Sequence, residues 1–171
     1  VAATSTPSDA ARLNELEVEL ADLRGRHRLL EEQNNNLANL YVASHQLHST
    51  LDFKEVVAIV MEIVINLIGA EAFALHLLDQ NTGQLHVIAA EGIDGGQLPP
   101  TALGEGPVGG PAAAGRPHVQ QGPLPAGTDL SHPIAVIPLV LNQQVIGAIS
   151  VWRLLPQKSG GFSPLDHQLF E

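Results

Sequence analysis

The chain has 171 residues, 44% of them hydrophobic, enough apolar surface for one packed domain with an appendage. Lys and Arg total 8 against 18 Asp and Glu, a formal charge of −10, which argues against a nucleic-acid surface because such a surface needs clustered cations. There is no cysteine, which excludes disulfides, thiol redox chemistry, cysteine nucleophiles and thiolate metal sites together.

Residues 1–11 are small and polar and read as a disordered lead-in without the basic-then-apolar layout of a secretory leader. The most apolar stretch, 56–70, is interrupted by Glu62 and Asn66 and is too short and too polar to span a bilayer. A cytoplasmic protein with no membrane partner is therefore expected. The chain begins with Val and stops two turns into its last predicted helix, so a piece of a longer protein is expected.

Residues 12–48 carry a heptad pattern. Spacings of three and four pick out Leu13, Leu16, Leu20, Leu23, His27, Leu30, Asn34, Leu37, Tyr41, Ser44 and His48. With Leu13 at position a, Leu16, Leu23, Leu30 and Leu37 fall at d, while His27 and Asn34 fall at a. Leucine at d with a lone Asn at a favours a parallel, in-register, two-stranded coiled coil. In that register the g-to-e′ pairs are Arg12–Glu17, Glu19–Arg24 and Arg26–Glu31, all of opposite sign. Each exposed pair contributes roughly 0–1 kcal/mol, but like charges would disfavour the register. The alternative is a single amphipathic helix lying along its own domain. That reading gives Asn34 no reason to sit in an apolar seam, and a helix from Leu13 to His48, about 54 Å long at 1.5 Å per residue, exceeds the face of a small domain. Asn34-Asn35-Asn36 is a weak helix-forming triplet. His27 and His48, stacked as pairs across a dimer, would repel once protonated and loosen the coil below about pH 6; neutral seam histidines are the simpler reading.

After a handover at 48–50, Asp52 is expected to cap a helix, with Glu55 closing a capping box and Leu51 stapled to Val56. That helix should bury Val56, Ile59, Val60, Ile63, Val64, Leu67 and Ile68 and end at Gly69. Residues 72–78 (AFALHLL) and 84–91 (QLHVIAAE) read as strands around a turn at 79–83. By alternation, Phe73, Leu75 and Leu77, with Leu85, Val87 and Ala89, face the helices, while Ala74, His76 and Leu78, with His86, Ile88 and Ala90, take the opposite face. Residues 92–133 hold most of the glycines and prolines and read as loop, with room for one short helix and an edge strand near 118–121. Two apolar runs, 133–141 and 145–154, flank Asn142-Gln143-Gln144 and read as a buried hairpin. Ser163, Pro164 and Asp166 open a last helix.

This order, with ALHLLDQNTGQL, GEGPVGGPAAAGRPHV, IPLVLNQQVIGAISV and FSPLDHQLF, resembles a GAF domain over about residues 39–171. The resemblance implies an α+β fold: a GAF/PAS-like central antiparallel sheet flanked by helices, here with an N-terminal parallel coiled-coil helix. It also implies a domain at 49–171 with a truncated last helix, its first helix continuing from the coil at about 39, and a pocket roofed by the glycine-rich crossover. The implied role is that of a non-catalytic regulatory module of bacterial signalling type. It would homodimerise and relay small-molecule or partner binding to an output domain; the alternative is a ligand-free dimeric scaffold or protein-interaction platform. Bilin-binding members need a cysteine, as do the GAF-like methionine sulfoxide reductases, and this chain has none. The NKFDE-type pattern of cyclic-nucleotide-binding members is not visible, so cyclic nucleotides are unsupported. Pro107 and Pro111 suggest a helix-poor roof.

The pocket candidates are Ala74, His76, His86, Ile88 and Ser150. His76 and His86 together could offer hydrogen bonds to an anion, or ligate haem or a metal. Two partly exposed histidines beneath a loop is the more economical reading, so no cofactor is expected. No role falls to His118, His132 or His167. Gly104-x-Gly106-x-x-Gly109 matches a dinucleotide fingerprint in letters only, because it lies outside any βαβ unit.

Overall fold

The computed structural model of the chain describes residues 7–120, 124–125, 127–158 and 160–170, with the backbone alone at 7–10, 36, 43, 164 and 165. Two units are distinguished, 1–45 and 46–171. The first consists of helix α1, Pro7–Ser49, which runs through to the second unit's first residues. Pro7 opens it, a position where the missing N–H costs nothing. Residues 7–11, expected in the lead-in, are therefore helical, and residues 1–6 lie outside the described part. The Asn triplet does not interrupt the helix. The heptad leucines and Tyr41 stand 48% (Leu20) to 73% (Tyr41) exposed, and Asn34 and His27 are exposed with them. Within the helix Arg26 pairs with Asp22, and His27 Nδ1 lies 3.4 Å from Glu31.

In the second unit Asp52 caps helix α2, Phe53–Ile63, its Oδ1 accepting from Lys54 N at 2.7 Å and Glu55 N at 3.4 Å. The box is not the direct one expected. Glu55 accepts from the Thr50 hydroxyl, which itself accepts from Asp52 N at 3.1 Å, so the threonine relays the contact. The staple is absent, because Leu51 is fully exposed. The helix seam is also displaced by one position. Val57, Val60, Met61 and Ile65 pack on the core beside Val64 and Ile68, leaving Val56, Ile59 and Ile63 half-buried at its margin. The apolar face of α2, opposite exposed Lys54, Glu55, Ala58 and Glu62, is broad enough to hold both seams, so the sheet decides which one turns inward. A π-helical turn, Val64–Ile68, follows, and Gly69 closes it at φ +72°.

Among the described residues one antiparallel sheet has the order β3-β2-β1-β6-β5-β4. Its strands are β1 Ala70–Asp79, β2 Gln84–Glu91, β3 Thr101–Ala102, β4 His118–Val119, β5 Ala135–Leu141 and β6 Gln144–Leu154. The central pair β1/β6 is covered on both faces, which is why AFAL and GAISVW read as continuous apolar runs rather than strict alternation. On one face Phe73, Leu75, Ile137, Ile149 and Val151 pack beneath α2, the π-turn and Phe170. On the other, Ala72, Ala74, Val136, Ala148 and Trp152 pack beneath Val108 and Ala112 of helix α3, Gly106–Ala113. The short crossover helix and the edge strand near 118 are thus where the sequence places them, and two prolines do not prevent the helix. Pro107 lies in its first turn, where no N–H is needed, and Pro111 removes one interior bond.

The β5–β6 turn is Asn142-Gln143 alone, with φ +50° and +65°, the type I′ geometry whose twist suits a two-residue hairpin. At the C-terminal end, helix α4, Pro164–Leu169, carries the expected capping box. Asp166 Oδ2 accepts from Ser163 N at 2.6 Å, while Asp166 N donates to Ser163 Oγ at 3.2 Å. Lys158 Nζ donates to Asp166 Oδ1 at 2.5 Å and to Leu67 O at 3.3 Å, tying α4 to the end of the π-turn.

Candidate functional site

The five pocket candidates do not share one face. Across β1 and β2 the pairing runs Leu75↔Ala89, then His76↔Val87 and Leu77↔His86, which leaves Ile88 as an extra residue in a β-bulge. Directly paired residues point to the same side, so His76 shares the crossover face with Val87, whereas His86 shares the helix face with Leu77. Ile88 packs with the helix-side core. The expected His76/His86 pair is therefore split by the sheet, and the two rings cannot ligate one haem or metal. The faces assigned to Leu85 and Val87 are corrected by the same bulge, since both pack on the crossover side. Among the described residues no group of three His, Asp or Glu side chains is placed to hold a metal.

Ala74, His76 and Ser150 do come together. Ala74 pairs with Ser150 and His76 with Ala148 across β1/β6. His76 Nε2 lies 2.6 Å from Ser150 Oγ, and that hydroxyl also approaches Ala74 O at 3.5 Å. His76 is 5% exposed and Ser150 0%. Burial pushes the His76 ring down to about 4, so it is neutral at pH 7 and serves as a satisfied hydrogen-bond partner inside the core. Gly147 of β6 allows the strands to approach here, since a Cβ on it would sit 2.4 Å from His76 O.

A second constellation lies on the outer side of α3. A cleft of about 1070 Å³ is walled by Pro107 and Pro111 of α3, by residues 116–120 and by residues 129–133. The α3 residues facing it, Pro107 and Pro111, are a helical turn apart and differ from Val108 and Ala112, which face the sheet. The outer wall is fixed by β6. Trp152 Nε1 donates to Leu130 O at 3.2 Å, and Arg153 donates to Thr128 Oγ1 at 2.8 Å and Glu71 Oε2 at 2.9 Å. The opposite wall hangs on β4, where His118 pairs with Val136 and Gln120 N donates to Ile134 O at 2.8 Å.

Inside the outer wall Asp129 orders a turn. Its Oδ1 accepts from Ser131 N at 2.9 Å, and its Oδ2 lies 2.9 Å from His132 Nδ1. The hydrogen bond to His132, then that from Ser131, holds the exposed carboxyl below its ordinary range. Sequence reasoning missed Arg116, Asp129 and Trp152, and assigned no role to His118 and His132. The one signal available was Asp129-x-x-His132, an Asx-type turn pattern inside the loop.

A family model for the GAF domain matches residues 50–171. Comparison with curated proteins gave no match. Among solved structures, the GAF domain of a phosphoenolpyruvate-protein phosphotransferase from Coxiella burnetii is similar at TM-score 0.60 and 18% identity. The match covers 78% of this chain and 84% of that one. The nlh2 GAF domain of A. Aeolicus in an inactive state is similar at TM-score 0.59 and 13% identity, covering 81% and 93%. The free methionine-R-sulfoxide reductase of Neisseria meningitidis, solved with its substrate, is similar at TM-score 0.54 and 18% identity, covering 75% and 76%. These identities speak to the fold, and the family model to the lineage: the chain belongs to the GAF domain family.

Proposed function

We propose that this is a non-catalytic regulatory GAF module that homodimerises through α1. It would relay the state of a small-molecule or protein site to an output domain, in the cytoplasm of a bacterium. The observation that carries the reading is the heptad seam, whose leucines stand about half exposed or more along a 43-residue helix. Isolated helices of this composition gain little from propensity alone, and apolar stripes of this length call for a partner. A second copy fits, because Asn34 pairs with itself at position a and the three g-to-e′ pairs are complementary only in register. Among the solved relatives are the GAF domain of a phosphotransferase and one described in an inactive state, which supports a regulatory role. The absence of cysteine removes the nucleophile a thiol-based reductase would need.

Because the chain has no native cysteine, the register is directly testable. Leu30→Cys at d is expected to oxidise to a disulfide-linked dimer under mild oxidant, whereas Glu32→Cys at the outermost f position is not. Equal cross-linking of both, or of neither, on a denaturing gel would rule out the parallel seam. The burial of Ala74, Ala148 and Ser150 beneath α3 favours a second reading, a dimeric scaffold whose sheet face takes no ligand.

A further inference from the structure

We propose that the cleft outside α3 binds a small anionic molecule, with Arg116 as its principal charge contact and His118 as a flanking donor. Four basic residues lie beyond Gln46: Lys54, Arg116, Arg153 and Lys158. Arg153 and Lys158 are held by Glu71 and Asp166. The Arg116 side chain is exposed at the cleft and, among the described residues, has no hydrogen-bond or ion-pair partner; the same is true of the His118 side chain, whose backbone pairs in β4.

In a chain of net charge −10, counted with His neutral, a cleft holding one Arg against a single Asp is locally balanced rather than acidic. That lone carboxylate is already engaged by His132 and Ser131 N. Donating Nδ1–H to that carboxylate leaves Nε2 of a neutral His132 as an acceptor, so this ring orders the Asp129 turn and the anion is left to Arg116 and His118. A guanidinium is matched to carboxylate or phosphate oxygens by its planar fork, and it keeps its charge at every working pH. The walls suit a small ligand for a separate reason. Pro107, Pro111, Pro117 and Pro133 have restricted backbones, so the cleft loses little freedom on filling.

The ligand class is a compact carboxylate- or phosphate-bearing molecule with an apolar body against the prolines. This deepens the regulatory reading and rests on it for its consequence, but binding itself needs neither the coil nor an output domain. The test is a titration of the whole chain with inorganic pyrophosphate and, separately, with malonate, at constant ionic strength and against chloride. Backbone amide NMR shifts are the readout. Saturable shifts confined to residues 116–120 and 129–133 are expected. Arg116→Ala should weaken them at least tenfold while leaving the anion-free melting temperature unchanged, and Arg116→Lys should weaken them less. Response to pyrophosphate alone assigns a phosphate ligand, response to malonate alone a carboxylate, and either supports the site. Shifts spread over the arginines of α1 and unaffected by Arg116→Ala would overturn the proposal, as would no saturable response to either anion. A monomeric chain that still binds would sink the dimeric reading and leave this one standing; a dimer without binding does the reverse.

Discussion

Gly147→Ala is expected to destabilise the domain by about 3 kcal/mol, at the upper end of the overpacking range. A Cβ at Gly147 would lie 2.4 Å from His76 O and 3.4 Å from Leu139 Cδ1. The near atom is the carbonyl of β1, which lies between β2 and β6 and cannot swing aside as a side chain would. Relief requires the central pair to separate, and that separation also strains the His76–Ser150 hydrogen bond one step along the ladder. The neighbouring GEGPVGG run supplies a contrast. At Gly109 an added Cβ would meet Ala102 O at 2.1 Å, while at Gly110 nothing lies nearer than Gly104 O at 3.9 Å. Gly110→Ala is therefore expected to stabilise α3 by roughly 0.5–1 kcal/mol, through the helix preference of Ala over Gly. Urea midpoints of Gly147→Ala and Gly110→Ala measure these two signs. A neutral Gly147→Ala would mean that the close approach of β1 and β6 is not as described.

Acid should unfold the domain through His76. Its ring is held at about 4 against an ordinary 6.5, with burial as the cause. The unfolded chain therefore takes up a proton before the folded one does. Stability is fully present above pH 6.5 and is lost progressively as the pH falls toward 4. One pKa unit corresponds to about 1.4 kcal/mol, so the full loss is about 3 kcal/mol, of which about 2 kcal/mol falls between pH 7 and pH 5. His76→Leu should flatten the urea midpoint across that interval, since it removes the titrating group; Ser150 Oγ keeps Ala74 O as a partner. A wild-type midpoint independent of pH between 7 and 5 would contradict the buried, neutral histidine.

The hairpins, the Asp52 and Ser163 caps, the Gly69 stop and the crossover helix were legible because each is written locally. Apolar runs are bounded by turn residues, and a cap needs a few positions. The helix seam was legible only to within one residue, since α2 is apolar on both candidate faces. The division of His76 from His86 was not legible at all. It depends on Ile88 being unpaired, and a bulge inserts a residue without a compositional mark. The reading that put both histidines in one pocket follows correctly from strict alternation and fails where alternation does. The outer cleft escaped detection for a different reason. Beyond the α3 residues and the two residues of β4, its walls are loop residues with no periodicity, the outer one held by Trp152 and Arg153 of a strand read only for its apolar pattern. The family motifs, in contrast, have a mechanical basis: the glycine of VIGAISV and the first glycine of the Gly109-Gly110 pair each sit where backbone carbonyls leave no room for a Cβ.

The central claim is that α1 makes this module a dimer, and the most direct test is the native mass of the untreated chain at micromolar concentration. One chain weighs 18.1 kDa. A mass twice that, falling to the single-chain value when Leu23 and Leu30 are both replaced by Lys, is the expected result. A wild-type mass of 18.1 kDa would contradict it and leave the exposed heptad seam of α1 without a partner in a second copy.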